Sequence, residues 1–252
     1  MYLTMLGCYG GVPGSEDACS SFVLESEKGN ILVDCGSGVM RNLLTYTNLK
    51  DLKAVILSHL HFDHFNDLFA LYYAFKVGIS LGDLSKIKVY LPCSPIEVYN
   101  FIVTSMCDVF DFKDYTENDA LKINDISINF CRTQHGIPTY AMRFEHGNYV
   151  VGYTSDTGYS EDVIDFLKGC DLLIAECSLL RTLPESKNHM NTEEVMKFAL
   201  ISNAKELILT HFWYSIPKLE YWNEVLQYGY YNENDMKVYL AKSGLKREED
   251  EE

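Results

Sequence analysis

Short apolar runs with strand-like alternation, separated by turn residues, open the chain. Residues 2–8, 20–25 and 30–34 carry three of them, and the turn Glu27-Lys28-Gly29-Asn30 makes the last two a predicted hairpin. Gly36 and Gly38 lead into a helical stretch ending near Tyr46. Ala54-Val55-Ile56-Leu57 is a continuous apolar strand, and helical spacing resumes from Asn66 to about Ile79. The second half echoes the first. Strands are predicted at 126–133, 139–144 and 149–153, a helix at 161–168, a strand at 171–175, a helix at 192–201 and a strand at 206–210. Glu145-His146-Gly147-Asn148 has the composition of a hairpin turn. Two β-rich halves, each with helices after strands, predict an α/β fold in which two sheets pack together with helices outside.

The 252 residues suffice for a full core, and 47% of them are apolar, as in an ordinary globular protein. No low-complexity linker or short-period repeat interrupts them, so one domain over residues 1–245 is expected. Lys246-Arg247 and the acidic run Glu248, Glu249, Asp250, Glu251 and Glu252 are expected to form a solvated, frayed tail over 246–252. No apolar run approaches the roughly 18 residues of a membrane span, and the opening residues lack the basic start of a signal peptide. The eight cysteines form no Cys-x-x-Cys pair, and several lie in apolar runs. A reducing compartment and a cytoplasmic location are therefore expected. A formal net charge of -15 disfavours broad electrostatic binding to nucleic-acid backbones. It leaves room for a small phosphate ester, because bound cations dominate the field inside a pocket.

The candidate chemistry clusters where apolar strands end: Asp34, His59, Asp156, Glu176 and His211 stand at or just past such ends. The run His59-Leu60-His61-Phe62-Asp63-His64 places His59, His61, Asp63 and His64 within six residues. Imidazole and carboxylate suit zinc, with manganese or iron as alternatives. His135, Asp156 and His211 each follow a predicted strand and are the candidates for completing a second site. Any one of them alone is an ordinary loop residue; their shared placement is the signal.

In this order, Asp34, the His-x-His-x-Asp-His run, His135, Asp156 and His211 resemble the metallo-β-lactamase superfamily in its ribonuclease Z-like branch. The resemblance covers nearly the whole chain. It implies an αββα sandwich with two divalent metal ions at one edge of the sheets. It also implies that His59, His61 and His135 bind the first ion, that Asp63, His64 and His211 bind the second, and that Asp156 bridges them. A hydroxide shared by the two ions would be the nucleophile, oriented by Asp63. Asp34 and Glu176 are the candidates for holding imidazoles from behind. Asn188-His189-Met190-Asn191-Thr192 resembles the Gly-His-Ser-Thr segment of ribonuclease Z-like enzymes, from which it departs at Asn188, Met190 and Asn191. By that match His189 is a general acid or a stabiliser of the transition state. The other reading of the segment is a loop whose Asn191 or Thr192 caps the following helix.

Ribonuclease Z proper grips precursor tRNA with a long arm between its third and fourth motifs. Here His135 and Asp156 lie only 21 positions apart, which leaves no room for the arm. Precursor tRNA is therefore not expected as a substrate, and neither is a membrane partner. The expected function is a metal-dependent phosphodiesterase acting on a small or short nucleotide-like substrate. A hydrolase of lactones, esters or thioesters on the same metals is the alternative, and a non-catalytic binding protein keeping the fold is a second. Tyr72, Tyr73, Phe75, Tyr90 and Tyr99 are expected to pack in the core, part of their segment serving otherwise as a pocket rim or a homodimer contact. Phe212-Trp213-Tyr214 belongs either to the core or to the substrate pocket. The loop from Gly10 to Gly14 is expected to approach the metal edge.

Overall fold

The computed structural model describes residues 1–228 and 236–249. The chain divides into two compact units. The first comprises Met1–Tyr115, Ile123–Asp125 and Lys242–Glu252; the second comprises Thr116–Lys122 and Ile126–Ala241.

The first unit contains strands β1 (Tyr2–Gly7), β2 (Tyr9–Gly10), β3 (Ser21–Ser26) and β4 (Gly29–Val33), helix α1 (Val39–Tyr46) and β5 (Leu52–Ile56). Helices α2 (Phe62–Phe65) and α3 (Leu68–Ser80), strand β6 (Lys88–Leu91), helix α4 (Ile96–Met106) and β7 (Asp111–Asp114) follow. Its main sheet runs β1-β3-β4-β5-β6-β7. The β1, β3 and β4 pairings are antiparallel, and those from β4 through β7 are parallel. The predicted hairpin is β3–β4. The β4 strand is buried along its whole length, as a strand covered on both faces must be, which explains its unbroken apolar run.

The second unit carries β8 (Ala120–Ile123), β9 (Ile126–Arg132), β10 (Tyr140–His146), β11 (Tyr149–Tyr153), α5 (Glu161–Phe166) and β12 (Leu172–Glu176). After them come α6 (Thr192–Ile201), β13 (Glu206–Thr210), β14 (Phe212–Trp213), α7 (Lys218–Tyr228) and β15 (Lys237–Leu240). The sheet order is β15-β13-β12-β11-β10-β9-β8. The β9–β10–β11 meander is antiparallel; β11, β12, β13 and β15 run parallel. Helix α6 opens on a capping box in which Asn191 accepts from the backbone of Glu193 and Glu194, and Glu194 reaches back to the amide of Asn191. Asn191 is thus the cap, and Thr192 is the first helical residue.

The chain then returns to the first unit, where β16 (Lys246–Glu248) adds to that sheet beside β1, antiparallel, with Tyr2 opposite Glu248. The Glu249 carboxylate meets the N-terminal ammonium at 2.9 Å. The frayed tail expected over 246–252 is therefore corrected for 246–249: an unpaired sheet edge takes up this charged segment through backbone hydrogen bonds that do not depend on side-chain type. Residues 250–252 lie outside the described residues. No helix among the described residues is long and apolar enough to cross a membrane.

Three strand exits share an uncommon backbone. Asp34 (φ 56°), Ser155 (φ 53°) and His211 (φ 61°) lie in the left-handed region just after β4, β11 and β13. Residues other than glycine adopt it rarely, and such conformations concentrate where geometry serves a site.

Candidate metal-binding site

In the first unit the His59–His64 run leaves β5 as a loop through His61 and then forms the single helical turn α2. The buried Asp34 carboxylate organises it. Asp34 accepts the Ser58 amide at 2.7 Å, the Ser58 hydroxyl at 2.9 Å and the His64 Nδ1–H at 2.9 Å. Because the Ser58 hydroxyl donates to Asp34, it accepts the Nδ1–H of His59, 3.0 Å away. These bonds fix the tautomers of both buried imidazoles, so that Nε2 is in each the nitrogen that could bind a cation. The backbone reinforces the arrangement: the Cys35 amide donates to the His64 carbonyl, and a Cβ on Gly36 would sit 1.6 Å from the Asp63 carbonyl oxygen. Only glycine permits that approach.

His59 Nε2 lies 3.0 Å from His61 Nδ1, and His64 Nε2 lies 3.5 Å from Asp63 Oδ2. Two ligands of one tetrahedral zinc, at bonds of about 2.0–2.1 Å, stand roughly 3.3 Å apart. The two pairs fit donors sharing a cation. Asp63 Oδ2 also accepts the Gly11 amide at 2.7 Å. The glycine loop therefore does reach the motif, within this unit.

The second unit holds a matching set. His211 Nε2 is 3.2 Å from Asp156 Oδ1, while His135 Nε2 is 3.8 Å from Asp156 Oδ2. The carboxylate thus turns one oxygen toward each imidazole. His135 donates its Nδ1–H to the Asn188 carbonyl at 3.1 Å. The Ser178 hydroxyl donates to Glu176 Oε2 at 2.7 Å and so accepts the His211 Nδ1–H at 2.9 Å. Again the Nε2 atoms are set as ligand atoms. Burial lowers the pKa of His135, the nearby Asp156 charge opposing, and this favours the neutral imidazole that binds metal.

Glu176 was expected behind a metal-binding imidazole. It accepts the Nδ1–H of His189 at 2.9 Å and stands behind His211 through the Ser178 hydroxyl. The same carboxylate accepts the Thr157 amide at 3.0 Å and the Ser178 amide at 3.1 Å. The His189 ring stacks near-parallel on His211 with centroids 5.6 Å apart, and it lies 5.1 Å from His135. Asp156, His189 and His211 offer donor atoms all within 4.8 Å of one another. Sequence reasoning missed Ser58, Ser178 and the Asn188 carbonyl; only the position of Ser58 beside the histidine run could have drawn attention to it. Of the remaining candidates, Tyr72, Phe75, Tyr90 and Phe212 are buried, whereas Tyr73, Trp213 and Tyr214 are exposed.

A β-lactamase superfamily domain model matches residues 29–212. The chain belongs to the metallo-β-lactamase superfamily. It is 36% identical over 219 residues to the superfamily's "Probable metallo-hydrolase YhfI" of Bacillus subtilis (strain 168), covering 84% of this chain and 86% of that protein. The YhfI crystal structure matches with a TM-score of 0.87 and 31% identity, covering 98% of this chain and 99% of that one. A ribonuclease Z of Prochlorococcus marinus (strain AS9601) is 27% identical over 280 residues, with 84% of this chain and 88% of that protein covered. A diphosphatase from the PhnP family shares the fold at a TM-score of 0.78 and 18% identity, covering 99% of this chain and 98% of that one. Two mixed seven-stranded sheets with flanking helices and these matches give the αββα fold of the metallo-β-lactamase superfamily, as expected from the sequence. Membership in the superfamily, with these His and Asp clusters, identifies a metal-dependent hydrolase.

Proposed function

We propose that the two half-sites form one dinuclear centre. His59, His61 and His135 hold the first divalent ion, and Asp63, His64 and His211 hold the second. Asp156 bridges them, and zinc is the preferred ion. Three observations support this: the order of the motifs in the superfamily, the Nε2 atoms set as ligands by Asp34, Ser58, Ser178 and Asn188, and the Asp156 oxygens turned to His211 and His135. The reaction we assign is hydrolysis of a phosphodiester on a small or short nucleotide-like substrate.

The carrying observation is the Glu176–His189 pair at 2.9 Å, stacked beside His211. A carboxylate behind Nδ1 stabilises the imidazolium, so that Nε2 can deliver a proton to a leaving alkoxide. Two divalent ions supply Lewis acidity and make water a competent nucleophile near neutral pH. Asp63, held by the Gly11 amide, orients the attacking water. As the P–O bond breaks, the leaving oxygen takes the His189 Nε2 proton, and the proton released by water restores it. The capping of α6 is carried by Asn191, which leaves His189 to this role.

Precursor tRNA is outside the proposed substrates. Only β10, β11 and the turn at Gly147 (φ 58°) and Asn148 fill most of the interval from His135 to Asp156, and the net charge of -15 opposes a long polyanion. The test is a panel of phosphodiesters, lactones and thioesters with the metal-loaded chain. Phosphodiester hydrolysis is expected, with His189→Ala lowering kcat by about 10²–10⁴ on poor leaving groups and less on p-nitrophenyl esters. Activity on lactones or thioesters alone, unmoved by His189→Ala, would refute it.

A further inference from the structure

Within the first unit's half-site, exposure is unequal. His59 and His64 are fully buried, whereas His61 and Asp63 are partly accessible. His61 and Asp63 are thus the accessible members of the run, and the residue between them is Phe62. The residue is 66% exposed, although the sequence places it inside the ligand run, where a small or polar residue would avoid the cost of a wetted ring.

The ring is also held. Phe62 is the first residue of α2, whose turn is closed by His64 N–H to the His61 carbonyl and Asn66 N–H to the Phe62 carbonyl. One side of the ring rests on the buried Phe65, centroids 5.5 Å apart at 47°. Phe65 continues to Phe69 at 6.5 Å, and Phe69 to Phe101 at 5.8 Å. Phe62 therefore packs on one core ring, Phe65, in a row of aromatic contacts whose far member, Phe101, is again exposed. An exposed ring between two partly accessible candidate ligands, packed on a buried neighbour, offers a surface on which a planar group can stack.

We propose that Phe62 is a specificity-determining residue that stacks a planar aromatic group of the substrate, a nucleobase or an aryl ester, next to the scissile bond. This rests on the phosphodiesterase reading and narrows it, from any small diester to those carrying a ring. Stacking is sequence-tolerant, so the platform selects for the presence of a base rather than for its identity.

The test compares adenosine 5′-monophosphate with ribose 5-phosphate, which lacks the base, by calorimetric titration of the metal-loaded chain. Wild type is expected to bind the nucleotide about tenfold tighter. Phe62→Ala should bring that ratio to about one, Phe62→Trp should keep it, and Phe62→Leu should fall between. Circular dichroism and metal content check that each variant is folded and loaded. Equal affinities in wild type, or a ratio unmoved by Phe62→Ala, would overturn the proposal. If the chain hydrolyses lactones and binds neither phosphate, the phosphodiesterase reading fails by itself. The KM ratio of phenyl- to methyl-substituted lactones in the same variants then decides the platform: a preference abolished by Phe62→Ala supports it, and no preference overturns it.

Discussion

The Glu176 carboxylate accepts the Nδ1–H of His189 at 2.9 Å while also holding the Ser178 hydroxyl that fixes His211. One buried group thus positions both the proposed proton donor and the imidazole proposed to bind metal. Glu176→Gln keeps the shape and removes the charge. It should lower kcat about tenfold or more on substrates with poor leaving groups, and Glu176→Gln/His189→Ala should be little worse than His189→Ala alone, because the two act as a unit. Additive losses in the double variant would separate them.

Gly11 donates its amide to Asp63 Oδ2 from a left-handed conformation (φ 73°). Proline removes that N–H and its ring also excludes the conformation, whereas asparagine retains the N–H and tolerates it. Gly11→Pro should weaken metal binding by about 10–100-fold in chelator competition, and Gly11→Asn should stay close to wild type. Equal weakening in both would show that the loop matters only for packing.

Gly36 is a position where a methyl group has nowhere to go, since its Cβ would lie 1.6 Å from the Asp63 carbonyl. Gly36→Ala should cost about 3 kcal/mol or more, lowering Tm by about 6–12 °C in a chain of this size. A thermal melt within a few degrees of wild type would mean that the motif can shift as a body.

The cysteines should separate by environment. Burial pushes the Cys19 and Cys170 thiols up to about 12, and holds Cys35 and Cys177 well above their usual range. A raised pKa keeps the thiol protonated and unreactive at pH 8. With Ellman's reagent, the exposed Cys93 and Cys107 should react fast and the half-buried Cys131 slowly, with the other five of the eight reacting only on unfolding. Rapid modification of Cys19 or Cys35 in the native chain would contradict this packing.

Much of the scaffold was legible because its elements carry their own signals. The apolar runs of β4, β5, β12 and β13 are strands buried on both faces, and α6 is bounded by its capping box. The strands that escaped notice are short, and some are polar and held by partners: β6 and β15 are four-residue Lys-Val-Tyr-Leu runs, β7 is Asp-Phe-Lys-Asp, parallel to β6, and β16 is Lys-Arg-Glu on the edge of β1. Their pairing is tertiary and leaves no periodicity in the chain. The same division applies at the site. The types and order of His59, His61, Asp63, His64, His135, Asp156 and His211 could be read directly. What stands behind each imidazole could not, because serine is common and a carbonyl is everywhere; Ser58, Ser178 and the Asn188 carbonyl matter only through distance.

The dinuclear centre is tested most directly by metal stoichiometry. After zinc loading and exhaustive removal of loosely held ions, inductively coupled plasma mass spectrometry should find about two zinc ions per chain. Asp156→Ala should retain one or fewer. One zinc or fewer per wild-type chain under the same conditions would contradict the account.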